Sequence, residues 1–285
     1  MLILFPSDYF DPKQPEIDYK KEYEAVCHLP DFKIILYNYD SFTQNEPLKI
    51  QPNDYYTGKC IYRGWMLTPN QYKTLFAFLE KSSITLINTP KEYDYCHLFP
   101  YVYPQIEQYT PKMLYFEYEQ PIDWDAVNKT FTRFMVKDYV KSVKGHDFPT
   151  FFETPIKSED MNLYIAKFIK LRSSLFTGGI AFKEYVNLKK YENKTNEYRA
   201  FYLCNKLLSL SRNSNQSDSC SLPPQELLDK FKTLQSQYYT VDFAELSDGS
   251  WIVLETGDGQ VSGLSPGQWE FKYYEDMRHI LERMK

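Results

Sequence analysis

Apolar residues along this chain fall into short runs and helical stripes that alternate over the first 90 positions. Residues 2–5 form a continuous apolar run, 32–37 a second and 60–62 a third. Runs of this length, bounded by polar residues, predict buried strands. Between them, 19–25 predicts a short helix. Thr68-Pro69 opens another, with threonine as the cap and proline in the first turn. Its apolar residues Tyr72, Leu75, Phe76 and Leu79 lie at helical spacing. A strand over 84–87 stops at Asn88-Thr89-Pro90. This order predicts an α/β unit with a mostly parallel sheet.

The second half reads differently. Residues 90–125 have the Pro- and Tyr-rich composition of a connector. Trp124 and Val127 mark a short helix before a strong strand over 131–136. Ser158-Glu159-Asp160 predicts a helix start, with a cap and first-turn acids. That helix carries Met161, Tyr164, Ile165, Phe168 and Ile169. After Gly178-Gly179 a strand is expected over 180–186, and another over 199–203. The polar stretch 211–220 reads as a mobile loop, and Pro223-Pro224 opens a helix with Leu227, Leu228, Phe231 and Leu234 on one stripe. Two strands then flank Asp248-Gly249, a strong signal for a two-residue hairpin turn. A last helix starts at about Gln268. There is no internal repeat.

Composition narrows the class. With 43% apolar residues and a net charge of -5 over 285 residues, the chain is not disordered. At a sequence pI near 5.5, nucleic acid is not an expected partner. No apolar run approaches the ~20 residues that cross a bilayer, so no membrane is expected, and the short apolar start is no signal peptide. Five scattered cysteines without a Cys-x-x-Cys make a reducing cytoplasm the default. Cys27-His28 and Cys96-His97 lack zinc spacing. The 26 Tyr and 20 Phe fit either a core with wet edges or a cleft that stacks a flat ligand.

The candidate chemistry lies mostly after residue 130. Counting outward from a turn at Asp248-Gly249, Ser247 faces Ser250, Leu246 faces Trp251 and Asp242 faces Glu255. Directly opposed side chains have Cβ atoms only ~5 Å apart, so these carboxylates repel unless a proton or cation lies between them. Asp258 follows three residues on, with Gln260 behind it. Three oxygen-donor side chains of this kind suit magnesium; the competing reading is a solvated hairpin face. Lys137 ends an apolar strand, and Lys141 and Lys144 follow in the next turn, where they either hold phosphate oxygens as point charges or face solvent. The segment Lys183-Glu184-Tyr185-Val186 offers strand-edge backbone to an adenine. Arg199, in a Tyr/Phe-rich strand, can clamp a phosphate or carboxylate bidentately.

A lysine ending a strand, then a strand with Glu-x-Val, then Glu-x-Arg, then a hairpin with Asp on one arm and Glu on the other resembles the ATP-grasp superfamily. Tyr62-Arg63-Gly64-Trp65-Met66 and the segment 255–264 resemble in particular its clade named after an arginine and two lysines. The resemblance covers 131–264 well and 1–120 more loosely. It implies an α/β pre-domain over 1–120 and an ATP-grasp fold over 121–285, with a hinge near 184–187 and ATP between two α+β subdomains. By this resemblance Lys137 and Lys141 contact phosphates, with Lys144 a third cation in that loop. Glu184, with the backbone of Tyr185 and Val186, reads adenine; Asp242 and Glu255 hold magnesium. Arg199 stabilises charge during transfer, and Arg63 faces the cleft as a substrate or phosphate contact. Many members end the second metal strand in Glu-x-Asn; position 257 here is Gly, which leaves the third ligand to Asp258 first and Gln260 as the alternative. The implied reaction joins a carboxylate to an amine or thiol through an acylphosphate, on a small molecule, peptide or protein. A second reading stays open. The chain also resembles the eukaryotic cell-division-cycle ATP-grasp proteins that assist assembly of a translation initiation factor, which implies ATP binding without a ligation product.

Overall fold

The computed structural model describes residues 1–143 and 148–283. Its first part runs β1 (Leu2–Pro6), α1 (Lys20–Cys27), β2 (Lys33–Tyr37), α2 (Tyr39–Thr43), β3 (Ile50–Gln51), β4 (Gly58–Tyr62), α3 (Pro69–Lys81) and β5 (Ile84–Leu86). The sheet order is β3-β2-β1-β4-β5, parallel except for β3. A parallel sheet covered on both faces needs apolar side chains at successive positions, not alternate ones. The run Leu2-Ile3-Leu4-Phe5 meets that need: Leu2 and Leu4 pack with Tyr72, Leu75 and Leu79 of α3, whereas Ile3 and Phe5 pack with Ala25 and Val26 of α1 on the other face. Thr68 caps α3 in a reciprocal box with Gln71, with Pro69 in the first turn.

Asn88-Thr89-Pro90 does more than stop a strand. Thr89 and Glu92 form a second capping box that opens α4 (Pro90–His97), followed by α5 (Phe99–Ile106) and β6 (Met113–Glu117). The stretch 90–125 is therefore no connector. Pro90 and Pro100 sit in first turns, where the missing N–H would have had no helical partner.

Next come α6 (Trp124–Thr130), β7 (Arg133–Lys137), β8 (Phe152–Glu153), α7 (Ser158–Arg172) and β9 (Gly179–Glu184). They build an antiparallel sheet of order β6-β9-β7-β8. One face packs on α6 and α7 through Phe134, Val136, Ile180 and Phe182 against Val127, Met161, Ile165 and Phe168. Lys157, not Ser158, is the cap of α7, although Glu159 and Asp160 fill its first turn as expected.

A small ribbon of β10 (Lys190–Tyr191) and β11 (Lys194–Thr195) leads to β12 (Glu197–Leu203), β13 (Lys206–Arg212), α8 (Gln225–Lys230), β14 (Tyr238–Glu245), β15 (Trp251–Asp258) and α9 (Glu270–Glu282). The second antiparallel sheet has the order β13-β12-β14-β15. The polar stretch 211–220 is tied down. Gln216 is buried and donates to Asn196 Oδ1 (3.3 Å) and to the Glu197 carbonyl (2.5 Å), and Lys194 donates to the Asn215 carbonyl. One apolar cluster spans the junction of this sheet with the first. Ile3, Phe5 and Ile61 pack with Phe201, Leu203, Tyr238, Tyr273, Tyr274 and Met277. Each such aliphatic or phenyl side chain, fully buried, contributes about 1.5–3 kcal/mol.

Candidate active site

The site lies where the open face of the first antiparallel sheet meets β15. Side chains alternate along β7 and β9, and Met135 pairs with Lys183 and Lys137 with Ala181. The residues that pack on α6 and α7 are the intervening ones, so Lys137 and Lys183 project together from the opposite face. Both are buried. Lys137 Nζ forms an ion pair with Glu255 Oε1, and Lys183 Nζ donates to the Leu254 carbonyl. The Phe99 ring lies under both ammonium groups, its centroid 3.9 Å from Lys183 and 6.0 Å from Lys137.

The hairpin explains why Leu254 has a carbonyl to offer. Its loop is not the expected two-residue turn. Leu246 N–H donates to the Ser250 carbonyl, which leaves Ser247, Asp248 and Gly249 in the loop, with Gly249 at φ +87°. Glu245 therefore faces Trp251, one place away from the expected register. A β-bulge at Leu254 then restores it, and Asp242 faces Glu255.

The two carboxylates are not left facing each other unpaired. Arg199 donates from Nε to Asp242 Oδ1 (2.8 Å) and from Nη2 to Oδ2 (2.7 Å), and its Nη1 reaches the Gly263 carbonyl (2.9 Å). Glu255 pairs with Lys137. Burial alone would raise the Glu255 carboxyl, but Lys137, Lys141 and Lys183 pull it down to about 2. Burial, reinforced by the charge of Lys137 and opposed by that of Glu255, holds the Lys183 ammonium well below its ordinary range. The Glu255 side chain remains 35% exposed against 5% for Lys137, so the site opens to solvent on the carboxylate side.

Asp258 does not join this pair. It is fully buried on the opposite face of β15, where its Oδ1 accepts from Gln260 N (2.9 Å) and Nε2 (3.2 Å) and its Oδ2 from Asn88 Nδ2. Gln260 is held in turn by Tyr72 Oη and Tyr62 N. At Gly257 a Cβ would lie 2.9 Å from both Thr240 Oγ1 and Ser262 Oγ, so these hydroxyls fill the space a side chain would take. Burial, partly offset by these hydrogen bonds and by Arg63, pushes the Asp258 carboxyl up to about 7. That exceeds the unfolded value of about 3.9, so between the two the folded chain keeps a proton that the unfolded chain has released. The stabilising contribution is complete below about pH 4 and is lost as pH rises through about 7. Urea midpoints at pH 5 and pH 8 should therefore fall less with pH in Asp258→Asn than in the parent protein.

Arg63 does not reach the cleft either. It is buried and chelates Glu22 through Nε (3.0 Å) and Nη2 (2.9 Å). Its Nη1 donates to the carbonyls of Gly259 (2.6 Å) and Ser262 (2.9 Å). With its N–H groups taken up in this way, it secures the segment after β15 and has none directed at a substrate.

The adenine candidates lie at the link between the two antiparallel sheets. Strand β9 ends at Glu184, two residues earlier than expected. Glu184 Oε2 accepts from Lys112 N (3.3 Å), and Tyr185 N–H is spent on the Arg133 carbonyl (2.9 Å). Val186 N–H and C=O make no hydrogen bond among the described residues. In the turn after β7, Asp138 is buried and its Oδ1 accepts from the amides of Val140 (2.7 Å) and Lys141 (2.6 Å). Those amides are thus unavailable to phosphate, and what this turn offers is the Lys141 charge. Lys144 lies outside the described residues.

A family model for the ATP-grasp domain, family 3 of the clade named after an arginine and two lysines, matches residues 123–277, more than half of the chain. The chain belongs to this ATP-grasp family. Solved structures agree in fold. D-alanine–D-alanine ligase from Bacillus anthracis complexed with ATP superposes with a TM-score of 0.61 at 13% identity, covering 99% of this chain and 97% of that one. The macrocyclase MdnC from Microcystis aeruginosa, bound with its precursor peptide MdnA, gives 0.58 at 15% identity, over 99% and 100%. The D-cycloserine synthetase DcsG gives 0.62 at 13%, over 100% of both chains. No curated protein sequence matches. Among the described residues no helix is long and apolar enough to cross a membrane.

Within this ATP-grasp site, two features were not singled out from the sequence. Lys183 enters there only as the first residue of the segment whose backbone is offered to an adenine, although its two-residue spacing from Ala181 places it away from Ile180 and Phe182. Phe99 lies in the stretch that reads as a connector.

Proposed function

We propose that this ATP-grasp chain is an ATP- and magnesium-dependent ligase that joins a carboxylate to an amine, forming ADP. The observation that carries the reading is the convergence of Lys137, Lys183, Glu255, Asp242 and Arg199 between two sheets of this fold. A ligase and a peptide-bound macrocyclase among proteins of this shape support it. Residues 1–120 serve as the pre-domain and 121–285 as the ATP-grasp unit, with 184–187 as its hinge. Five unpaired cysteines support a reducing compartment.

Each residue has a role under this reading. Lys137, Lys183 and Lys141 neutralise the phosphates as point charges. Val186 N–H and the Tyr185 carbonyl meet the adenine edge, and Glu184 positions that segment. Asp242 and Glu255 fit magnesium, which typically takes one or two carboxylates and completes its shell with water and phosphate oxygens. Asp258, with its carboxylate taken up by Asn88 and Gln260 on the other face of β15, is left out of this pair. Magnesium would neutralise the charge that develops on the phosphate oxygens.

The substrate carboxylate attacks the γ-phosphorus and ADP leaves with the bridging oxygen. The amine then attacks the acyl carbon and expels phosphate, losing one proton. Arg199, exchanging Asp242 for the transferred group, stabilises the negative charge with its planar fork. Closure about 184–187 keeps water from the acylphosphate.

Magnesium–ATP at about a hundred times its dissociation constant should stabilise the protein by about 2.7 kcal/mol. For a chain of this size that is a melting shift of roughly 5 °C or more. ATP with chelator should give less. No shift with either would overturn the nucleotide reading, whereas a shift without ADP release on any carboxylate and amine pair would favour an ATP-binding assembly protein of the same fold.

A further inference from the structure

A cavity of about 260 Å³ opens beside the turn that carries Lys141. Three parts of the chain meet there. Tyr39 and Gln71 come from α2 and α3 beside the first sheet, His97 ends α4, Arg172 ends α7, and Val140 and Thr177 lie in the loops after β7 and before β9. A water's share of liquid volume is about 30 Å³, so the cavity has room for roughly nine non-hydrogen atoms.

The wall is rich in donors that have no acceptor among the described residues. His97 is only 6% exposed, lies tilted by 35° against the Tyr93 ring at 4.8 Å, and its imidazole makes no hydrogen bond among the described residues. Burial, with the charge of Lys141, lowers its pKa to about 3, so at neutral pH it presents one N–H and one lone pair. Gln71 spends its Oε1 on the Thr68 cap, which leaves Nε2 without a partner among the described residues. Arg172 gives Nε to Asp138 (2.8 Å) and Nη2 to the Leu175 carbonyl (3.0 Å), and Nη1 makes no hydrogen bond among the described residues. Among the described residues no Asp or Glu lines the cavity. An ammonium would find no counter-charge among them. An anion would find an imidazole, an amide and a guanidinium, each with a donor to give.

We propose that this cavity binds a compact carboxylic acid of amino-acid size by its carboxylate, through His97, Gln71 Nε2 and Arg172. Its position beside Val140 and Lys141 makes it the seat of one of the two substrates; that role rests on the ligase reading, whereas the binding does not.

The decisive variant is Gln71→Glu. A glutamate there keeps the capping box, so α3 is retained, but it replaces the free amide with a second carboxylate facing the ligand. Binding is read on the His97 imidazole by long-range proton–nitrogen correlation of histidine-labelled protein. The protein has four histidines, and the His97 signal is identified by its loss in His97→Asn. The probes are free L- and D-amino acids, β-alanine and succinate, each beside its carboxamide. At least one carboxylate should shift the His97 signal, its carboxamide should not, and Gln71→Glu should weaken binding by about tenfold or more. Three results would overturn the proposal: equal binding of acid and amide, binding unchanged in Gln71→Glu, or no response to any probe at millimolar excess. The acid–amide comparison on the parent protein stands even if the variant misfolds. Melting with magnesium–ATP on the same samples separates the two readings. A nucleotide shift without a carboxylate response sinks the cavity alone, and the reverse sinks the nucleotide site alone.

Discussion

Glu22→Ala is expected to destabilise the protein by about 3–5 kcal/mol, the usual cost of leaving one member of a buried ion pair without its partner. Glu22 is 8% exposed and Arg63 1%, so water cannot take the place of the lost carboxylate. Tyr274 Oη also donates to Glu22 and would lose its acceptor. Urea unfolding monitored by two probes gives the measurement, and a loss under about 1 kcal/mol would show that the pair is dispensable. Replacing both members by methionine separates the ion pair from the other task of Arg63. Buried pairs exchanged for apolar residues of similar volume are often neutral. Here the Gly259 and Ser262 carbonyls would still lose their donor, at about 1–3 kcal/mol for each buried unsatisfied group. The double variant should therefore still fall short of the parent protein in stability, even with the ion pair removed.

Asp242→Asn should lower magnesium-dependent ATP turnover by about a hundredfold or more. A bound metal contributes several kcal/mol to stabilising charge in phosphoryl transfer, and each 1.36 kcal/mol is tenfold in rate. The substitution removes one of the two facing carboxylates and half of the fork that holds Arg199. The protein should still fold, because Asn retains an acceptor for Arg199 and its place in β14. ADP release in a coupled assay is the readout. Turnover unchanged from the parent protein would remove Asp242 from the metal site and leave Glu255 as the only carboxylate there.

Much of this architecture was legible in the order of apolar residues, because a buried parallel strand and a capped helix each leave a local mark. Leu2 to Phe5 and Thr68-Pro69 are such marks. The site was legible less directly. The opposition of Asp242 and Glu255 was expected from a two-residue turn with regular pairing, and it arises from a three-residue loop and a bulge whose displacements cancel. Neither deviation has a signature beyond Gly249 that periodicity can use. Arg63 could not be placed because its partner, Glu22, is 41 residues away in sequence. An arginine after a strand reads the same whether it meets a substrate or a buried glutamate. Asp258 misled for the opposite reason. It lies close to Glu255 in sequence, but an odd spacing along a strand puts two side chains on opposite faces.

The cluster that joins Phe5 and Ile61 to Tyr238, Tyr274 and Met277 bears on how such a chain can be rearranged by recombination. The family match begins at residue 123, and a gene fusion made there would leave β6 behind and transplant the rest of the two antiparallel sheets without the surface that completes their core. The Gly259 and Ser262 carbonyls would travel without Arg63, and α9 without α1. The two halves are thus fit to be inherited together, and exchange between relatives is better tolerated in the loops than at this boundary.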